Sequence, residues 1–163
     1  MEKFTGKVWL LGDDIDTDII MPTEYLVFKT IEEMKPYAFS PLRPELAAQI
    51  RPGDIIVAGS NFGCGSSREQ APEVVKALGL RCVIAKSFAR IFFRNAINNG
   101  ILLIENADLA DFVKEGEEIT VTVNEKIECR GKEFPIVSLP DNLVEIINAG
   151  GLVKAMRKRN GLD

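Results

Sequence analysis

The sequence predicts a single α/β domain whose sheet contains both parallel and antiparallel strands. Three apolar segments, Ile55–Ala58, Arg81–Ala85 and Ile101–Ile104, alternate with two helical patterns. This β-α-β-α-β order is typical of a parallel sheet with right-handed crossovers. Apolar residues then alternate strictly along Glu118–Val123, which favours antiparallel strands. Because the chain contains no repeat, linker or low-complexity segment, residues 1–163 are predicted to form one domain.

The first third of the chain has weaker signals. Lys7–Leu11 is a short apolar strand candidate, ended by Gly12 and an acidic loop. The segment Thr23–Pro44 is rich in proline and lacks a clean period, so it is predicted to form loops with short helical turns. Glu45–Ile50 is predicted to be a short helix that ends in a turn at residues 51–54.

Two helices connect the parallel strands. The first leaves the glycine-rich segment Gly59–Pro72 and extends to Leu78. The second is predicted from Ser87, a natural N-cap, to Asn98.

The last third is predicted to contain short strands and helices. A short helix is expected at Asp108–Val113, strands at Lys126–Arg130 and Glu133–Val137, and a helix at Asp141–Ala149 with Asp141 as its N-cap.

Composition and charge exclude several classes of function. The net charge of −4 gives no electrostatic reason to expect nucleic acid as a partner. The four cations Lys154, Arg157, Lys158 and Arg159 are interpreted as the solvated end of a last helix. No apolar run approaches the roughly 20 residues that span a bilayer, and the N-terminus lacks a secretory pattern. We therefore expect a cytoplasmic protein that does not enter membranes.

The chain has no histidine, so the commonest general base and metal ligand is missing. Its three cysteines, Cys64, Cys82 and Cys129, show no Cys-x-x-Cys spacing. An iron–sulfur or zinc site built from this chain alone is not expected. Cys82 is interpreted as a core residue. Cys64, in the glycine-rich segment, could form an intermolecular disulfide under oxidising conditions.

The glycine-rich segment concentrates polar chemistry between a strand and a helix. Gly63 and Gly65 let the backbone approach a ligand closely, and the helix start offers unpaired N–H groups. Ser66, Ser67 and Arg68 add hydroxyls and a cation, so the segment suits an anionic, oxygen-rich small molecule.

Two interpretations of the serines remain open from the residues alone. One serine could act as a base, because a helix N-terminus and an adjacent arginine favour an alkoxide. Alternatively, Ser66 or Ser67 caps the helix, with Glu69 or Gln70 closing a capping box. The segment lacks the lysine of a P-loop and the third glycine of the dinucleotide fingerprint, which argues against both nucleotide sites.

The acidic loop Asp13–Asp18 offers oxygen ligands for a divalent cation, but it lacks EF-hand spacing. We expect it instead to hold the neighbouring loop, and we predict no metal site in this chain.

Three motifs in order resemble one family. They are Asp14–Ile20 with Pro22, Gly59–Pro72 with its Gly-Ser-Ser-Arg-Glu core, and Lys86–Gly100. Together they cover nearly the whole chain and resemble the swivelling domain of the aconitase superfamily, domain 4 of aconitase. A free-standing chain of this length resembles the small subunits of the isopropylmalate dehydratase and homoaconitase branch.

The resemblance implies a fold and a partner. The fold would be a swivelling β/β/α domain with a mixed, largely parallel sheet flanked by helices. The partner would be a large catalytic subunit that carries a [4Fe–4S] cluster. This chain would then bind no cofactor and would be inactive alone. An isolated copy could self-associate through the surface that the large subunit covers.

The resemblance also implies a reaction and roles for residues. The reaction would interconvert 2-isopropylmalate and 3-isopropylmalate by dehydration and rehydration, in leucine biosynthesis. Ser67 matches the family's base, and Ser66 and Arg68 match neighbours that hold the substrate carboxylate and the alkoxide. The residues expected to support these loops are Asp16, Thr17, Asp18, Gly63 and Gly65.

In the family, substrate choice depends on the segment that follows the acidic motif. Here that segment comprises Tyr25, Leu26, Val27, Phe28, Lys29 and Thr30. Its apolar residues would suit an isopropyl group, although ordinary core packing is the competing interpretation. Lys29 could instead accept a further carboxylate, which leaves a homoaconitase of lysine biosynthesis or dual specificity open. A non-enzymatic, stand-alone anion-binding or regulatory module is the remaining alternative.

Overall fold

A computed structural model describes residues 2–161, which include seven strands of one mixed sheet. The strands are β1 Lys3–Leu10, β2 Ile55–Ala58, β3 Cys82–Ala85, β4 Leu103–Glu105, β5 Glu118–Thr122, β6 Lys126–Cys129 and β7 Lys132–Pro135. Their order across the sheet is β4-β3-β2-β1-β5-β6-β7. Pairing is parallel from β4 to β1 and antiparallel from β1 to β7. The predicted mixed α/β fold is confirmed, but the expectation of a largely parallel sheet is wrong. Strands β5, β6 and β7 extend the sheet beyond β1 by three antiparallel pairings, which equal the three parallel pairings in number.

Helices pack on this sheet and fill its connections. They are α1 Thr17–Ile20, α2 Ile31–Met34, α3 Leu46–Gln49, α4 Gln70–Ala77, α5 Arg90–Asn98, α6 Leu109–Phe112, α7 Asp141–Ala149 and α8 Leu152–Arg159. Two 3₁₀ turns, Thr23–Val27 and Lys35–Tyr37, lie in the proline-rich segment, where short helical turns were predicted. No helix within residues 2–161 is both long enough and apolar enough to cross a bilayer.

The central strands are apolar on both faces because both faces are covered. Ile56 and Val83 belong to a core cluster that includes residues of α4 and α5. Their neighbours Ile55 and Ile84 point into a second cluster, which includes residues of α6 and the antiparallel strands. Successive side chains of a strand face opposite sides of a sheet. Two separate cores therefore follow from one unbroken apolar run.

Strand β1 begins four residues earlier than predicted because it changes partner along its length. Lys3–Lys7 pairs antiparallel with β5, whereas Val8–Leu10 pairs in parallel with β2. The first half has no continuous apolar pattern, since only one of its faces is buried. The long-range pairing with β5, rather than local propensity, makes this half a strand.

Two predicted N-caps are wrong. Helix α5 begins at Arg90 after Ala89, and the Ser87 hydroxyl instead accepts a hydrogen bond from the Asn61 amide at 2.8 Å. Helix α7 begins at Asp141 itself, with Pro140 as the N-cap. In the first case a tertiary hydrogen bond competes for the capping side chain.

Candidate active site

The candidate site lies at the carboxyl edge of the parallel strands. The loops that follow β1, β2 and β3 meet there through backbone hydrogen bonds. Gly63 N donates to Ile15 O at 2.7 Å, and Phe62 N donates to Ser87 O at 3.0 Å. Ala89 N in turn donates a hydrogen bond to Phe62 O at 2.9 Å. Ligands of open α/β sheets bind at this edge, where loops from neighbouring strands converge.

Gly63 lets the glycine-rich loop pass directly over α5. Its φ of 85° lies in the left-handed region, and a Cβ built there would lie 2.2 Å from Phe92 Cγ. Phe92 is itself buried against the Phe62 ring. No residue with a side chain fits this position without displacing the core.

The acidic loop contacts the glycine-rich loop through hydrogen bonds. Asp16 caps α1 by accepting a hydrogen bond from Ile19 N at 2.8 Å. Thr17 is 3% exposed, and its hydroxyl donates to Ser66 O at 2.7 Å. Its amide donates to Cys64 O at 2.8 Å. These bonds fix the backbone that carries the two serines.

Within residues 2–161, Arg68 makes three hydrogen bonds. Its guanidinium donates to Asp18 Oδ1 at 3.1 Å, to Met21 O at 2.9 Å and to Thr23 Oγ1 at 2.7 Å. A guanidinium has five N–H donors, so two remain for a ligand. Arg68 therefore braces the acidic loop, and the Asp18 carboxylate balances its charge.

A cavity of about 230 Å³ brings the predicted serines and arginine together. Its lining comes from the connections that follow β1, β2 and β3 and from α5, and comprises Thr17, Gly63, Gly65, Ser66, Ser67, Arg68, Ala89, Arg90, Ile91, Phe92 and Asn95. Ser66 and Ser67 are exposed. No carboxylate, lysine, tyrosine or cysteine belongs to this lining.

The helix-capping interpretation of the serines is wrong. Helix α4 begins at Gln70, with Glu69 at the N-cap and no side-chain hydrogen bond to its first turn. Ser66 and Ser67 precede this start, so their hydroxyls remain available to a ligand. Pro72 lies inside the first turn, where a missing N–H group leaves no intrahelical bond unmade.

The substrate-choice segment Tyr25–Thr30 does not line this cavity. The Tyr25 ring stacks on Tyr37 with centroids 4.1 Å apart, and Phe28 packs beside both. Thr30 caps α2 by accepting from Glu33 N. Val27 is 81% exposed, and Lys29 is also exposed. In this conformation most of the segment's apolar side chains pack against the core. Arg68 is contacted instead by Thr23, which precedes the segment.

Sequence reasoning missed the contribution of α5. Arg90, Ile91 and Asn95 line the cavity, although none was assigned a role. They belong to the third motif, Lys86–Gly100. Because this motif follows a parallel strand, its position in the sequence could have indicated that α5 lies at the site. Crossover geometry brings the start of this helix beside the glycine-rich loop.

The cysteines lie apart. Cys82 and Cys129 are buried in the second core cluster, whereas Cys64 lies in the glycine-rich loop. Complete burial raises the pKa of the Cys82 thiol to about 12. Desolvation, and then the charges of Asp16 and Asp14, raise the pKa of Cys64. Residues 2–161 contain no group of three or more His, Cys, Asp or Glu side chains that could hold a metal ion.

The bond from Arg68 should be visible in the titration of Asp18. This hydrogen bond, followed by those from Thr23, holds the pKa of the Asp18 carboxyl below its ordinary value of 3.8. Its stabilising contribution is therefore complete at neutral pH and is lost as the pH falls below 3.8 through the folded-state pKa. In a carboxyl carbon NMR titration, Arg68→Gln should move the Asp18 midpoint upward. An unchanged midpoint would show that Arg68 does not hold Asp18 in solution.

Comparisons with known proteins agree with this architecture. The aconitase C-terminal domain family matches residues 32–109. The chain is 80% identical over 162 residues to the 3-isopropylmalate dehydratase small subunit of Lachnospira eligens, with 99% of each chain covered. It is 49% identical to the small subunit 1 of Archaeoglobus fulgidus, with 94% of this chain and 99% of that one covered.

A solved structure and a further relative come from Methanocaldococcus jannaschii. The crystal structure of its 3-isopropylmalate dehydratase superposes with a TM-score of 0.93 at 38% identity, covering 99% of this chain and 97% of that chain. An isopropylmalate/citramalate isomerase small subunit of the same organism is 45% identical, with 94% of each chain covered. The chain therefore belongs to the family of 3-isopropylmalate dehydratase small subunits, within the aconitase superfamily.

Proposed function

We propose that this chain is the small subunit of a 3-isopropylmalate dehydratase, a hydro-lyase of leucine biosynthesis. The enzyme would interconvert 2-isopropylmalate and 3-isopropylmalate by removing and re-adding water. The observation that carries this proposal is the cavity with Ser66, Ser67 and Arg68, in a chain 80% identical to a protein of that name along almost its whole length.

The chemistry of the lining suits a branched dicarboxylate. Hydroxyls and guanidinium groups donate hydrogen bonds to carboxylates, and charged donors bind them most strongly. Ile91 and Phe92 place apolar surface in the same cavity. A small acid that carries two carboxylates and an isopropyl group is complementary to these hydrogen-bond donors and to this apolar surface.

We assign proton transfer to Ser67. In the forward direction its oxygen would take a proton from the carbon next to the hydroxyl-bearing carbon. The C–O bond of the neighbouring carbon breaks, the hydroxyl leaves and a double bond forms. Water then adds across this double bond with its hydroxyl on the carbon that lost the proton and its hydrogen on the carbon that lost the hydroxyl. A serine hydroxyl in water is a weak base, so Ser67 needs an environment that stabilises its alkoxide.

That environment is incomplete in this chain alone. Ser67 is exposed, and the lining supplies no acid to protonate the departing hydroxyl. Cys64, Cys82 and Cys129 do not converge, so they do not fit a [4Fe–4S] cluster. We assign the cluster, the missing acid and the cover over the cavity to a large subunit. Self-association of the isolated chain through the uncovered face stays a prediction.

We propose that the enzyme works in the cytoplasm, where thiols such as those of Cys64, Cys82 and Cys129 are kept reduced.

Reconstitution tests the proposal. The purified chain, mixed anaerobically with its cognate large subunit, should convert 2-isopropylmalate to 3-isopropylmalate, and neither subunit should do so alone. Ultraviolet absorbance of the unsaturated intermediate gives the rate. Homoaconitate, assayed in parallel, should show a lower kcat/KM. A higher value for homoaconitate would replace the proposed substrate, and tight carboxylate binding by an inactive chain would favour a stand-alone binding module.

A further inference from the structure

Arg90 lies at the candidate site, and its side chain has no partner within the part of the chain that the structure describes. It is the first residue of α5, it is exposed, and it lines the cavity that contains Ser66 and Ser67. It also borders a second, mainly apolar cavity of about 370 Å³, whose lining includes the carboxylate of Glu105. Within residues 2–161 its guanidinium makes no hydrogen bond or ion pair, with Glu105 or with any other residue.

Charge balance distinguishes Arg90 from the other arginine of the cavity. Arg68 pairs with Asp18 at 3.1 Å, so its positive charge is already compensated. The lining contains no carboxylate or lysine beside these two guanidinium groups. Arg90 therefore supplies the uncompensated positive charge at this site.

The backbone at the start of α5 adds to the positive electrostatic potential of the cavity. The N-cap of α5, Ala89, has no side chain that could accept the first amides of the helix. Ala89, Arg90, Ile91 and Phe92 all border the cavity. The unpaired N–H groups of a first turn carry a partial positive charge. An anion beside Arg90 would interact with both the guanidinium group and these N–H groups.

We propose that Arg90 binds a carboxylate of the substrate and is a substrate-binding residue of this site. The inference rests on the proposed function, because that function supplies a dicarboxylate. A dianion needs more positive charge than the balanced pair of Arg68 and Asp18 provides. Arg90 would hold one carboxylate, while Ser66 and Ser67 face the reacting carbons.

The test is steady-state kinetics of the reconstituted enzyme with Arg90→Gln. A lost charge-assisted hydrogen bond to the substrate should raise KM by about 10- to 100-fold. The kcat should change by less than about threefold, because the carboxylate is bound in both ground and transition states. Arg90→Lys keeps the charge without the planar fork and should recover part of the loss. Arg94→Gln is the matched control, since Arg94 is an exposed arginine of the same helix that does not line the cavity.

Three outcomes would overturn the inference, and they differ from one another. An unchanged KM in Arg90→Gln, with an active wild-type enzyme, removes Arg90 from the substrate and leaves the proposed function intact. A loss that disappears at saturating large subunit makes Arg90 an interface residue. An inactive wild-type complex removes the proposed function, and the inference falls with it.

Discussion

Replacing Ser67 with alanine should lower the kcat of the reconstituted enzyme by about 10²- to 10⁴-fold, the usual contribution of a positioned acid–base group. The hydroxyl lies in the cavity, and within residues 2–161 it makes no hydrogen bond that the fold depends on. The free energy of unfolding should therefore change by less than about 0.5 kcal/mol. Kinetics of the complex and urea unfolding of the isolated chain measure the two effects separately.

Ser60→Ala is the control for this experiment. Ser60 is exposed in the same glycine-rich segment but does not line the cavity, and its hydrogen bonds to Asp13 and Asp14 use only its backbone. Its removal should leave kcat unchanged. Equal activity of Ser67→Ala and Ser60→Ala would eliminate Ser67 as the base. Loss of activity together with loss of stability would mean that the substitution acts through folding instead.

Gly63→Ala should be among the most damaging single substitutions in the chain. An L-residue at φ 85° costs about 1–2 kcal/mol. The added Cβ would also lie 2.2 Å from Phe92 Cγ and 2.5 Å from its Cβ, and overpacking of a core costs about 1–3 kcal/mol more. Together these effects should lower the free energy of unfolding by about 2–5 kcal/mol. Urea denaturation of the purified variant measures the loss.

Gly116→Ala separates the two contributions. Gly116 has a φ of 91°, but no heavy atom lies within 4 Å of a Cβ added there. This variant should lose only the conformational cost of about 1–2 kcal/mol. If both variants were equally stable, the close approach of the glycine-rich loop to α5 would be absent in solution. A larger loss in Gly63→Ala supports the packing that brings this loop to the cavity.

The parallel half of the sheet was predictable because its signal is local. Ile55–Ala58 has the predicted bounds of β2, since a short apolar run between a turn and a glycine admits few other structures. The start of β1 was not predictable in the same way. Its first five residues become a strand only by pairing with β5, more than 100 residues later in the chain.

The candidate site was partly predictable for a similar reason. Ser66, Ser67 and Arg68 are adjacent in sequence and occur in one motif, and the structure places all three in one cavity. The segment Tyr25–Thr30 was expected to approach the substrate, but its aromatic rings stack on each other and on Tyr37. Whether an apolar side chain faces a ligand or the core depends on packing partners that the sequence does not reveal.

The sequence by itself determined the mixed α/β class, the chemistry of the glycine-rich loop and the family resemblance. These features depend on residue types at short spacing, where backbone propensity and side-chain chemistry act locally. Only the tertiary structure decided which charges balance each other and which remain for a ligand. Arg68 is compensated by Asp18, and Arg90 is not compensated by any residue in the range 2–161. The physical reason is that electrostatic pairing depends on distances across loops, and those distances are set by the crossover connections of the sheet.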